Sequence, residues 1–175
     1  MAELWDILDE NRNKTGRLHE RRPIGSMRQG EYHLIVHVWI VNNKGEFLIS
    51  KRTPNKVYPN MWECTGGSAV AGDDSLTTAL KEVKEELGVA LEPETGQLFR
   101  SYKWRHENGS GDFTDVWLFR QEINLSEIVF QPEETCGAML AGKDKINKMI
   151  DEGIFIGRGI FPYLDELFAF CGVER

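Results

Sequence analysis

Glu82, Glu85 and Glu86 stand at i, i+3 and i+4 in the run Lys81-Glu82-Val83-Lys84-Glu85-Glu86-Leu87-Gly88. On a helix that spacing gathers three carboxylates on one face, where like charges oppose one another by about 0.2–0.5 kcal/mol per pair. A divalent hard cation reverses the sign of that effect, because oxygen ligands are what Mg²⁺ requires. The competing reading is a solvated face on which Lys81 and Lys84 pair with neighbouring glutamates. The residues upstream weigh toward the metal. Trp62-Glu63-Cys64-Thr65-Gly66-Gly67 is an extended piece entering a two-glycine turn. Glycine there lets the backbone approach a ligand, and the freed Gly66 carbonyl can join a metal shell.

A helix must carry these carboxylates. Asp73-Asp74-Ser75 supplies capping oxygens and negative charge at its start. Leu76, Ala79, Leu80, Val83 and Leu87 recur at spacings of three and four, which makes one buried stripe. Gly88 is placed to end the helix in a left-handed conformation. Ahead of it, Tyr32 to Val41 is the strongest strand signal, with Leu34, Val36, Val38 and Ile40 on one face and His33, Ile35, His37, Trp39 and Val41 on the other. Both faces look covered, so this strand should be central. Asn42-Asn43-Lys44-Gly45 is a turn, Glu46 to Arg52 a second strand, and Thr53 to Pro59 a loop with two prolines and Lys56.

Leu98 to Arg105 and Phe113 to Ile123 read as strands joined by a hairpin loop at Glu107-Asn108-Gly109-Ser110-Gly111. Helices are expected at Lys143 to Glu152 and at Pro162 to Cys171. Strands mixed with helices predict an α/β sandwich with helices on both faces of a mixed sheet. One domain over 1–175 is expected, with residues 1–30 as an N-terminal arm or hairpin.

The chain has 175 residues, of which 41% are hydrophobic, enough for a real core. No apolar run approaches the ~20 residues that span a bilayer, and the acidic start lacks a signal peptide, so no membrane partner and a cytoplasmic location are expected. A net charge of −7 argues against nucleic acid as a partner. An anionic substrate can still bind where metal ions or a local basic pocket offset the field. Cys64, Cys136 and Cys171 are odd in number and form no CxxC pair, which favours reduced thiols.

The span from Gly67 to Val89 resembles the Nudix box: Gly, five residues, Glu, seven residues, Arg-Glu-(aliphatic), one residue, Glu-Glu, one residue, Gly-(aliphatic). Gly67, Asp73, Lys81, Glu82, Val83, Glu85, Glu86, Gly88 and Val89 fall at those spacings. The resemblance covers most of Tyr32 to Val89, including Lys51-Arg52 before a Pro-containing loop and a Trp shortly before Gly-Gly. It implies a Nudix-type α/β/α sandwich and hydrolysis of a diphosphate bond in a nucleoside diphosphate-linked small molecule, with Mg²⁺ or Mn²⁺. Glu85 and Glu86 are then the principal metal ligands, with the Gly66 carbonyl as a further one. Glu82 orients or deprotonates water or adds a metal contact. Asp73 and Lys81 stand where Glu and Arg are usual; as a pair with Gly67 and Gly88 they support the box, keeping the signs but losing the bidentate fork.

Family members often draw one more acid from a later loop, and Glu134, beside Glu133, is the candidate; an exposed acidic turn is the alternative. Arg52 or Lys51 is a candidate for contacting phosphate, since strand alternation turns only one of them toward the cleft. His37 is expected in the core or lining the cleft, too far from His33 to share an ion with it. Trp104 is a sheet residue that could stack on a base. Specificity should lie in Thr53 to Asn60, Arg105 to Asp112 and Phe130 to Lys143. The resemblance leaves a homodimer open.

The N-terminal half also resembles the isopentenyl-diphosphate isomerase branch. However, Thr65-Gly66-Gly67 replaces that branch's Cys-Gly-His, and Cys64, one position off, should point to the opposite side of its strand. A non-catalytic Nudix-fold binding module is the remaining alternative.

Overall fold

The computed structural model describes residues 3–21 and 27–172. The rest of the expected N-terminal arm lies outside the described residues. Strands β1 (Leu4–Leu8) and β2 (Lys14–Glu20) form an antiparallel hairpin. Next come β3 (Tyr32–Val41), β4 (Phe47–Arg52), β5 (Trp62–Glu63) and β6 (Thr65–Ser68). Helix α1 (Ser75–Leu87) follows, then β7 (Gly96–Arg105), β8 (Gly111–Arg120) and β9 (Thr135–Ala141), and finally α2 (Lys143–Asp151) and α3 (Leu164–Gly172).

Among the described residues the strands make one mixed sheet. β3 is its centre, as its two apolar faces predict: it pairs with β1, β4, β6 and, in parallel over its whole length, β8. Even-numbered β3 residues Val36, Val38 and Ile40 pack with Leu48 against Ala79, Val83 and Leu87 of α1. Odd-numbered Trp39 and Val41 pack with Phe47, Ile49, Val116 and Leu118 against Ile146 and Met149 of α2 and Leu164, Leu167 and Phe168 of α3. Period-2 alternation thus covers the sheet on both sides and gives the expected α/β/α sandwich.

Three expectations change. Gly66-Gly67 is no turn but part of β6, with Gly66 opposite His37 and Gly67 opposite Val36. The segment Phe130 to Lys143, expected as a loop, contains β9, which runs antiparallel to β4; its Gly137-Ala138 centre gives little β signal. The strand expected over Phe113 to Ile123 runs Gly111–Arg120 instead, so the intervening loop is short.

Candidate active site

Asp74 caps α1: its carboxylate accepts from the Thr77 N–H at 2.7 Å, so of the three capping candidates it is the one in place. Gly88 closes the helix at φ 69°, its N–H donating to the Lys84 carbonyl. Lys81 Nζ lies 2.8 and 2.7 Å from the two Asp73 oxygens, so the substituted pair still joins the helix to the loop before it.

The three glutamates part company. Glu86 is 7% exposed, Glu82 is half-buried and Glu85 faces solvent. The helix is turned so that Val83 and Leu87 enter the core, and Glu82 and Glu86 flank that stripe on the side toward β5 and β6. Glu82 rests on Gly67: a Cβ there would lie 2.2 Å from the Glu82 carboxyl carbon. A glycine is therefore required so that β6 can cradle a carboxylate.

Burial pushes the Glu82 carboxyl up to about 7, with the Glu85 charge adding to the rise. Burial likewise pushes Glu86 up to about 8, reinforced by Glu63 and Glu82. Glu63, on β5, is the residue that sequence reasoning missed. Its own carboxyl is raised by burial against the pull of Arg52. Three carboxyl groups thus crowd a region mostly withdrawn from water, and each resists taking up its charge. The local cations do not neutralise them by direct pairing with Glu82 or Glu86. Arg52 donates to Glu63 at 2.6 Å and to the Val57 carbonyl at 2.6 Å, and Lys56 pairs with Glu134. Burial lowers the Lys56 pKa, although the Glu86 charge opposes that shift.

This donor set suits a hard divalent ion: all oxygen, anionic, and held at a glycine cradle. Among the described residues no three acidic, histidine or cysteine side chains already converge closely enough to enclose one. The Ala69 N–H donates to Leu34 O. Antiparallel alternation back from that bond turns the Gly66 carbonyl away from β3 and leaves it available.

Arg52 faces this cluster, whereas Lys51 sits one residue out of phase, across from Trp62 and Gly137. Glu134 reaches the cluster's margin through Lys56. His37 belongs to the opposite side of the sheet. Its Nδ1 lies 2.8 Å from the Tyr163 hydroxyl, which also accepts from Trp39 Nε1 at 3.1 Å. That network makes Nδ1 the acceptor of a neutral ring. Trp104 is 42% exposed on the outer strand β7, opposite Asp112, and not among the carboxylates. Cys64 is buried in the core with Trp39 and Phe155, its thiol pKa raised well above the usual value by that burial. No local spacing marked Glu63, because its place beside Arg52 comes from the pairing of β5 with β4.

The NUDIX domain family model matches residues 31–146. An uncharacterized Nudix hydrolase of Listeria monocytogenes, lmo0368, is 36% identical over 95% of this chain and 94% of its own length. In structure, the chain resembles DR0079 from Deinococcus radiodurans at TM-score 0.71 and 21% identity, covering 97% of this chain and 99% of that one. It also resembles a bifunctional NMN adenylyltransferase/ADP ribose pyrophosphatase from Francisella tularensis complexed with AMP and Mn ion. There the TM-score is 0.60 at 16% identity, covering 77% of this chain and 42% of the other.

Proposed function

The chain belongs to the NUDIX family, and on that premise we propose that this hydrolase uses Mg²⁺ or Mn²⁺ to cut a diphosphate bond in a nucleoside diphosphate-linked small molecule. The observation that carries the proposal is the buried pair Glu82 and Glu86 beside Glu63, with Glu82 seated on Gly67. Such crowding of like charge in a partly desolvated site is costly for stability alone, and it makes sense where a cation is to be held.

In this reading Glu85 and Glu86 hold the ion, with the Gly66 carbonyl as a further donor and Glu134 at the margin. Bound there, the ion supplies positive charge against the diphosphate oxygens and makes a nearby water more acidic. Glu82, whose carboxyl is pushed up to about 7, holds or accepts a proton near neutral pH and orients the attacking water. Exposed Glu85 must swing inward to join, which a solvent-facing side chain does freely. Arg52 and Lys56 line the approach for an anionic substrate, and Asp73, Lys81 and Gly88 fix the helix that carries the acids.

The isomerase reading loses further support from Cys64, which is packed in the core and has no route to a substrate carbon.

A screen of diphosphate compounds with Mg²⁺ and Mn²⁺, scored by product, tests the proposal. Glu85→Gln and Glu86→Gln are each expected to lower turnover at least a hundredfold in a protein that still folds. Near-wild-type turnover in both would overturn the assignment. Release of phosphate or a nucleoside monophosphate would dispose of the binding-module alternative.

A further inference from the structure

A second cavity, of roughly 580 Å³, opens between the β1–β2 hairpin and the β7–β8 loop. No part of the mechanism above uses it. It collects three of the chain's four histidines, His19, His33 and His106, together with Trp5, Met27 and Asp112. Its volume is that of a small-molecule site, and its wall sets the flat rings of Trp5 and His33 among polar and charged groups that include Arg21, Arg105 and Asp112.

The wall is built rather than accidental. Trp5 stacks on His33 at 3.9 Å with the planes 5° apart, and lies 6.3 Å from His19. Asp112 is opposite His33 in the parallel β3–β8 register, so both side chains leave the same face of the sheet. One Asp112 oxygen lies 2.9 Å from His33 Nδ1 and the other 3.0 Å from His106 Nε2. The first of these is an ion contact without hydrogen-bond alignment, which leaves His33 Nδ1 and Asp112 Oδ1 buried with no directional partner. Asp112 is thereby held between two imidazoles at the edge of the cavity.

One lining residue links the cavity to the carboxylates. Arg21, in its lining and paired with Glu3 at 2.8 Å, is near enough for its charge to act on Glu82. The hairpin is tied to the loop entering α1 through Ala71 N–H to Leu4 O at 2.7 Å and Gly72 N–H to Asp6 Oδ2 at 2.9 Å. Arg21 and the tied hairpin are thus the features that the two regions share.

We propose that the cavity between the hairpin and the β7–β8 loop binds the nucleobase of the substrate: a planar heteroaromatic ring against Trp5 and His33, with its N–H groups toward Asp112. This rests on the diphosphate-hydrolase reading for why the ligand carries phosphates, but the pocket is testable without it. Flat aromatic surface at Trp5 and His33 suits a base better than a sugar, which has no planar face to lay against it. An acceptor carboxylate selects rings that carry amino or ring N–H donors.

The test is calorimetric titration of the metal-free protein with the nucleoside 5′-monophosphates and with ribose 5-phosphate as the baseless comparator. At least one nucleotide is expected to bind roughly 5- to 150-fold more tightly than ribose 5-phosphate, as loss of one base–aromatic stack would give. Trp5→Ala and Asp112→Asn should each weaken that nucleotide about tenfold and leave ribose 5-phosphate unaffected. Should Trp5→Ala disturb the hairpin, His106→Ala, at an exposed ring, reports on the same wall. The inference is overturned if ribose 5-phosphate binds as well as every nucleotide, if no nucleotide binds, or if folded pocket variants bind nucleotides like wild type. Binding to metal-free protein does not depend on turnover. Nucleotide binding without hydrolysis of any diphosphate would therefore sink the enzymatic reading and keep the pocket, and hydrolysis by a protein that binds ribose 5-phosphate as tightly as every nucleotide would do the reverse.

Discussion

Replacing Gly67 with alanine should damage chemistry far more than folding, whereas alanine at the neighbouring Gly66 should cost the fold itself. A Cβ on Gly67 would fall 2.2 Å from the Glu82 carboxyl carbon and 2.3 Å from each of its oxygens. Ordinary contact lies at about 3.5 Å, so the carboxylate must retreat by more than about 1 Å. Only the tip of a flexible side chain moves, which costs the fold little. A misplacement of that size at reacting groups costs about a hundredfold in rate, or about 2.7 kcal/mol of barrier. A Cβ on Gly66, by contrast, would meet the backbone oxygen of Val36 at 2.5 Å, in the central strand. That collision cannot be swung aside, and overpacking of this kind costs about 1–3 kcal/mol. The assay is kcat with saturating Mg²⁺ or Mn²⁺ on the best substrate of the diphosphate screen, beside thermal melts of the same samples. Gly67→Ala should lose about two orders of magnitude in kcat with a Tm within a few degrees of wild type. Gly66→Ala should melt roughly 2–10 °C lower. Turnover by Gly67→Ala within threefold of wild type would show that the seat of Glu82 is irrelevant to the reaction.

The raised Glu86 carboxyl has a stability consequence. With the folded group up at about 8 and the unfolded value at 4.5, the contribution of this group to the metal-free protein is fully present below 4.5 and is lost as pH rises between those limits. In a chelator, Glu86→Gln should be more stable than wild type at pH 8, by about 1–3 kcal/mol in urea melts after allowance for relaxation, with the two converging near pH 4.5. A difference between Glu86→Gln and wild type that does not change over that window would refute the crowding. Arg12→Ala should cost about 2–3 kcal/mol, since it strips the partner from Asp115, which is 1% exposed; the partial exposure of Arg12 keeps the loss from being larger. Burial would raise the Asp115 carboxyl, but hydrogen bonds from Arg12 and Ser101 more than offset it. The gap between wild type and variant should therefore shrink as pH falls below the ordinary carboxylate range, and a loss under 1 kcal/mol at pH 7 would refute the pairing. Burial holds the His37 imidazole down to about 4, so its ring resonances should not titrate between pH 5 and 8, and acidification from 6.5 toward 4 should erode stability. An NMR midpoint above 6 would contradict the buried, neutral ring.

The parts of the fold that were legible in the sequence are those written in short-range periodicity. The apolar stripe Ala79, Val83 and Leu87, the Gly88 stop and the doubly apolar Tyr32–Val41 strand all follow from spacings of two, three and four residues. Placing Glu82, Glu85 and Glu86 together was right for a bare helix. It could not foresee which of them turn inward, because that depends on how α1 sits on β5 and β6. Glu63 was invisible for the same reason: its significance comes from Arg52 across a strand pair and from Glu86 across a layer. β9 was hidden by small residues at its centre and is held by its pairing with β4 rather than by local preference. The Trp5–His33–Asp112 wall joins three strands far apart in the chain, and no spacing rule reaches across that distance.

Arg12 sits at φ 69° in the hairpin bend and delivers both guanidinium nitrogens to Asp115, with Lys103 reaching back to the Glu10 carbonyl at 2.7 Å. The hairpin is thus a clasp, fastened to β7 and β8 from outside the span in which the signature residues lie. A shortened chain beginning at residue 31 would keep every acid of the helix yet open a charged hole in its own sheet. The span that carries the family signature thus takes the partner of a buried acid from outside itself.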